Sequence, residues 1–260
     1  MQTLKPIIID ETDILKDRII TYDEFMQIFN FVDLKYKILY GLLAITGARP
    51  CEVLKLRLDT NFDFSNKNDP KVKIMIAKAE KQEYNNFIKK KQKIVWRPIP
   101  EWFMKYLSKY IYETRRSESL FLFPKQSGDT HMNTSSVDAQ TAKLRHKMFK
   151  HNPKKYEWVL ETYKHFDNSY GFKRKCYRFS LYSFRKMHSV LYLKMMQDKG
   201  DVNAIVATSK HMGHSDIKTT LKYLAIAIND RFNIEKYGFM NTPPLQELSI
   251  SQNQTRIINY

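Results

Sequence analysis

Apolar residues recur at helical spacing along most of the chain and alternate in two places. Thr21-Tyr22-Asp23-Glu24 has the layout of a capping box, with Thr21 accepting from a first-turn amide and Glu24 reaching back. A helix is therefore predicted through about Phe31, and a second from Leu34 to Ile45, stopped by Thr46-Gly47. ARPCEVLKLR predicts a short helix with Val53, Leu54 and Leu56 turned inward. KVKIMIA, 71–77, alternates like a strand, and KIVWRPIP, 93–100, is its candidate partner. EWFMKYLSKYIYETRR returns to the helical period, and LFLFP closes it off. A further helix takes Ser183 as its N-cap and places Phe184, Met187, His188, Leu191 and Met195 on one face. The next starts at Asp201 and runs into Gly213. A last helix begins after Ser215, with Ile217, Leu221, Leu224 and Ile228 as its apolar stripe. The expected fold class is mainly α with a small antiparallel β-sheet (α+β).

Charge adds a partner to this outline. Lysine and arginine number 44 against 27 acids, a net of +17, which points to a polyanion: nucleic acid first, an anionic membrane surface second. The excess is clustered. Residues 71–97 hold nine basic residues and two acids. Lys143 to Arg178 holds eleven against three, with Phe149, Tyr156, Trp158, Tyr163, Tyr170 and Tyr177 interleaved. That mixture suits a nucleic-acid surface; the alternative is a helical insertion whose aromatics pack inward. Seven glycines in 260 residues argue against a glycine-rich nucleotide-binding fold. Cys51 and Cys176 show neither metal spacing nor a disulfide framework, which fits a reducing, intracellular compartment. MQTLKPIIIDETD lacks a signal-peptide layout, and the longest apolar run, ILYGLLAI, is far too short to span a bilayer, so no membrane partner is expected. The organisation expected is an N-terminal arm over 1–20, one domain over 21–240 with basic insertions at 78–93 and 143–178, and a polar tail over 241–260.

The candidate chemistry starts from Tyr223, which lies about 130° from the centre of the last apolar stripe and so is not a core position on that count. Arg49 sits beside a glycine break, with Glu52 three residues on to orient it. Arg185 is placed in the first turn of a helix, where amides and dipole already favour an anion. With His214 the set is two arginines, a histidine and a tyrosine, beside lysines on a hairpin. Such a set suits attack of a tyrosine hydroxyl on a phosphodiester. The arginines neutralise the non-bridging oxygens, the histidine hydrogen-bonds the same phosphate, and a lysine protonates the departing 5′-oxygen. This chemistry calls for neither metal nor cofactor.

TGARPCEVLKLRL, LFLFP, YSFRK and MGHSDIKTTLKY, in this order and spacing, resemble the boxes of the tyrosine recombinases, or phage-type integrases, over about residues 21–230. The resemblance implies the recombinase catalytic-domain fold for 21–240. It makes Arg49 and Arg185 the catalytic arginines, His214 the second-box histidine and Tyr223 the nucleophile. Three residues before Arg185 the family has histidine; here Tyr182 stands in that place. His188 is the alternative stand-in and otherwise a core histidine. The family's lysine lies in a turn between two strands, which selects Lys78, with Lys81, Lys89, Lys90, Lys91 and Lys93 as rivals and as DNA contacts. Lys173, Arg174 and Lys175 are the DNA-binding candidates of the second insertion. The family's separate helical DNA-clamping domain is either absent or lies outside this piece of chain. What the resemblance implies is site-specific cleavage and rejoining of double-stranded DNA through a 3′-phosphotyrosine. The setting is a homotetramer on two sites, in a virus or mobile element, acting in the cytoplasm or in the nucleus of a eukaryotic host. The alternatives are a telomere resolvase, a type IB topoisomerase-like enzyme, and a degenerate relative that only binds DNA.

Overall fold

The computed structural model describes residues 19–66, 68–77, 92–128, 130–167, 172–214 and 217–221. Helix α1 (Tyr22–Phe31) opens on the expected box: Glu24 N donates to Thr21 Oγ1 at 3.2 Å and Thr21 N to Glu24 Oε2 at 2.7 Å. It buries Phe25, Ile28 and Phe29. Helix α2 (Leu34–Thr46) is capped by Asp33, whose carboxylate accepts from Tyr36 N, and every residue from Ile38 to Thr46 is buried. It ends at Gly47 with φ of 65°, a left-handed conformation that favours glycine. Helix α3 (Pro50–Leu54) follows at once, with Val53, Leu54 and then Leu56 inward as expected.

Strands β1 (Phe62–Asp63), β2 (Lys71–Ala77) and β3 (Gln92–Pro98) form an antiparallel sheet in that order. Val72, Ile74 and Ile76 face the body, while Met75, Ile94 and Trp96 are exposed on the opposite face. Lys73 pairs with Trp96 in register, and its ammonium lies 5.7 Å from the ring centre. Helix α4 (Glu101–Lys109) tucks Trp102, Phe103 and Leu107 into the core, and a π-helical turn, Tyr110–Thr114, ends it. The LFLFP segment then lies along the tail of the first box: Leu122 N donates to Leu56 O and Leu58 N to Leu120 O, each at 2.8 Å.

Helix α5 (Thr134–His151) buries Val137, Thr141, Arg145 and Met148, one side of an otherwise polar rod. Helix α6 (Pro153–Tyr156) and a 3-10 turn (Glu157–Leu160) follow. Here the aromatics resolve in favour of packing: Tyr156 and Trp158 are buried and Phe149 packs against the core, so these three are not a nucleic-acid surface. No alternating pattern predicts strands in this region, yet β4 (Thr162–Asp167) and β5 (Phe172–Tyr177) form an antiparallel hairpin. Its root is fastened to the body. Arg178 bonds Glu161 at 2.7 Å and Glu24 at 2.6 Å, and the Arg145 guanidinium stacks 3.9 Å from the Tyr177 ring centre.

Helix α7 (Leu181–Asp198) crosses α2 and is buried over most of its circumference, including Phe184, Met187, His188 and Leu191. Its N-cap is Ser180, not Ser183. Ser180 has the extended backbone of a cap, and Ser183 is the third helical residue whose hydroxyl accepts from Ser180 N at 2.9 Å. Helix α8 (Ala204–Met212) starts after Asp201, whose carboxylate accepts from Asn203 N in the preceding turn. It ends at Gly213, with φ of 64°. In the helical turn over 217–221, Ile217 and Leu221 are 43% and 44% exposed and Thr220 is buried. The stripe expected to face the core therefore faces outward; Leu224 and Ile228 lie outside the described residues.

Candidate active site

Three segments of the chain converge at one place. The first is the Gly47–Arg49 turn. Arg49 is fixed by Glu52, which accepts from its backbone N at 2.7 Å and from Nη1 at 2.9 Å. The Glu52 side chain is 6% exposed and that of Arg49 30%, so a shielded carboxylate aims a partly open guanidinium. The second is Arg185. With the helix starting at Leu181 it lies in the second turn, beyond the free first-turn amides, which corrects the expected helix-terminus setting. Its guanidinium is buried and donates from Nη1 to Gly47 O and from Nη2 to Met212 O. One side chain thus ties the turn before Arg49 to the turn before His214.

The third segment is Gly213–His214. His214 N donates to Ser209 O at 3.0 Å, and His214 Nδ1 pairs with Thr220 Oγ1 at 2.8 Å. Burial, with Arg185 and Arg49 nearby, lowers the imidazole pKa to about 4. At neutral pH it is a neutral group among cations. A Cβ at Gly213 would stand 2.6 Å from Ile76 Cγ2, so strand β2 packs directly on the turn that presents His214.

Tyr182 is 48% exposed at the start of α7. Its hydroxyl pKa is raised, chiefly by burial of the ring and then by Cys51, while Arg49 and Arg185 pull it down. Both arginines therefore act on this phenol as well. A phenol so placed keeps its proton at neutral pH and is available as a hydrogen-bond donor. Arg49, Tyr182, Arg185, His214 and Glu52 are thus gathered into one cluster. Tyr223, Lys78, Lys81, Lys89, Lys90 and Lys91 lie outside the described residues, as do the side chains of Lys93, Lys173, Arg174 and Lys175. Thr220 was not singled out from the sequence. Its signal was there: a polar residue six after His214, inside the motif. Among the described residues, no group of three or more His, Cys, Asp or Glu is placed to hold a metal ion, and no helix is long and apolar enough to cross a membrane.

A model described as "Phage integrase family" matches residues 18–229. No curated protein matches the chain. Among solved structures, the Tn1549 transposon integrase in complex with transposon right end DNA is 17% identical over 80% of this chain, with a TM-score of 0.54. The XerH site-specific recombinase bound to difH substrate is 15% identical over 79%, with a TM-score of 0.50. The XerA recombinase is 16% identical over 87%, also at 0.50. The match spans 61%, 49% and 64% of those three chains, respectively. At such identities the likeness is one of fold, and it agrees with the mainly helical architecture with a small antiparallel sheet.

Proposed function

Since the chain belongs to the phage integrase family, we propose that it cleaves and rejoins double-stranded DNA through a covalent 3′-phosphotyrosine at Tyr223. The observation that carries this reading is the convergence of Arg49, Arg185 and His214 from three separate segments, with Arg185 bonded to the backbone before each of the others. Two guanidiniums and a neutral imidazole at one partly open surface are a receptor for a phosphodiester whose charge grows in the transition state. Tyr223 Oη attacks phosphorus as its proton passes to water, the bond to the 5′-oxygen breaks, and Lys78 protonates that oxygen. Tyr182 serves as a neutral donor to a phosphate oxygen, not as a base.

Two placements support the assignments that lie outside the described residues. Ile76, two residues before Lys78 in the sequence, packs on Gly213 beside His214. Thr220, three residues before Tyr223 in the sequence, is the buried position of 217–221 and meets His214 Nδ1. The basic residues Lys81, Lys89, Lys90, Lys91, Lys93, Lys173, Arg174 and Lys175 belong to the same reading as backbone contacts on DNA. So do a homotetramer on two sites, for which exposed Ile217 and Leu221 offer apolar surface, an origin in a virus or mobile element, and a catalytic domain over 21–240.

The test is a nicked duplex that traps the cleaved state. Wild-type protein forms a covalent protein–DNA adduct, and Tyr223→Phe forms none while binding the duplex as tightly. An adduct in the Tyr223→Phe variant refutes the assignment.

A further inference from the structure

Beneath the cluster runs a polar chain that the reaction above does not use. Arg97 is an inward-facing residue of β3 and is 9% exposed. Its Nη1 lies 2.8 Å from His211 Nδ1, and its Nη2 donates to His211 O. His211 Nε2 lies 2.9 Å from His188 Nε2, and His188 Nδ1 lies 2.7 Å from Ala44 O. The two ends of this chain set every proton in it. A carbonyl only accepts, so His188 carries its proton on Nδ1 and presents a lone pair at Nε2. His211 therefore donates from Nε2 and offers its Nδ1 lone pair to Arg97, which only donates. Both imidazoles are neutral in this arrangement, and one added proton would set N–H against N–H. Tyr192 stacks on His211 with ring centres 3.6 Å apart.

The chain joins the two turns that carry the cluster. Ala44 belongs to the last turn of α2, just before Gly47–Arg49. A Cβ at Gly47 would stand 2.4 Å from the His188 ring, so that ring is the surface the turn rests on. At the opposite end, Arg97 holds His211 O and Arg185 holds Met212 O, the two carbonyls just before Gly213–His214. A hydrophobic filling would stabilise a core more cheaply than a buried guanidinium and two imidazoles. What the polar chain adds is directionality.

We propose that Arg97, acting through the His211–His188 pair, is a positioning residue for the phosphate-binding cluster, fixing His214 against Arg49 and Arg185 without touching DNA. The proposal rests on the recombinase reading. The charged and titratable groups facing the pair are Arg97 from β3 and Arg185 and Tyr192 from α7. Burial and both arginines oppose protonation: His188 is lowered to about 3, and His211 is lowered as well, by burial, His188 and the arginines. Burial also lowers Arg97 to about 10, which leaves it a cation at neutral pH.

The experiment measures single-turnover cleavage of the nicked duplex at saturating DNA, and separately the affinity for that duplex. The proteins are full-length wild type, Arg97→Lys, Arg97→Gln and His188→Asn, each checked for a folded melt. Asn at 188 retains a donor toward Ala44 O but loses the link to His211. The expected result is a cleavage rate lower by about ten- to a hundredfold, as for a reacting group displaced by a fraction of an ångström to one ångström, with affinity unchanged. Lysine fails to rescue because it restores the charge and not the fork. Nitrogen-resolved imidazole spectra of wild type are expected to show neutral rings, His211 protonated on Nε2 and His188 on Nδ1. Folded variants that cleave at the wild-type rate, or rings that are cationic or of the opposite tautomer at neutral pH, overturn the positioning role. So does a loss confined to affinity, which would make Arg97 a DNA contact. A wild type that forms no adduct overturns the reaction itself, and the positioning role with it.

Discussion

His214 depends on a residue that carries no charge. Thr220 is buried and meets His214 Nδ1 at 2.8 Å, which fixes the ring and commits its other nitrogen, Nε2, to the phosphate in the proposed reaction. Thr220→Val keeps the shape and removes the hydroxyl, a loss of about 1 kcal/mol for one neutral hydrogen bond. Cleavage at saturating DNA should slow by about fivefold with affinity unchanged; single-turnover kinetics check it, and a wild-type rate would show the pair to be idle. At this scale the sequence was informative where a polar or charged residue follows a glycine break. Arg49 after Gly47 and His214 after Gly213 were legible because those breaks interrupt apolar periodicity. His188 was legible as a core position, but its bonds and those of Arg97 and His211 were not, because the partners lie 114, 144 and 23 residues apart along the chain. Each looks locally like an ordinary residue of a strand or helix.

Among the elements, the close fit of β2 against the α8 turn matters most to the site. Gly213 combines φ of 64° with Ile76 Cγ2 at 2.6 Å from the Cβ it lacks. Gly213→Ala should cost roughly 2 kcal/mol or more, part backbone strain and part displacement of β2. Placing Ile76→Ala behind it should return the substitution to the backbone share, about 1–2 kcal/mol. Urea unfolding of the four proteins of this cycle checks both values; equal costs in the two backgrounds would mean that β2 does not press on the turn. The helices α1 and α2 and the strands β2 and β3 were legible because capping residues and periodicity agree there. The β4–β5 hairpin was not. Lys164, His165, Lys173, Arg174 and Lys175 occupy both alternating sets of positions, so no apolar face marks the strands. The last helix was misread in phase for a related reason: its most apolar stripe, Ile217 and Leu221, is exposed, and the buried position is a threonine.

At the scale of the whole molecule, three histidines are held neutral among the arginines of the site. His188, His214 and His211 all have imidazole pKa values lowered in the fold, two of them to about 3 and about 4, by burial and by nearby arginines. The sign follows from linkage. Above about pH 6.5 the rings are neutral folded and unfolded, and stability is full. As pH falls below that value the unfolded chain takes up protons that the native state refuses, so stability drops by up to about 1.4 kcal/mol per pH unit for each ring. Glu24, raised by burial, binds its proton more readily when folded and works in the opposite direction, one carboxylate against three imidazoles. Urea midpoints should therefore fall steeply from pH 7 to pH 5, and a flat profile would mean that the rings are not held neutral. The net charge of +17 bears on the partner but not on the chemistry, and the chemistry is settled by one measurement. Wild-type protein is incubated with a nicked duplex, the DNA is digested to a short remnant, and the peptide that carries the remnant is sequenced by mass. The expected product is a 3′-linked nucleotide on Tyr223. A remnant on any other residue, or none on DNA that the protein binds tightly, would contradict it.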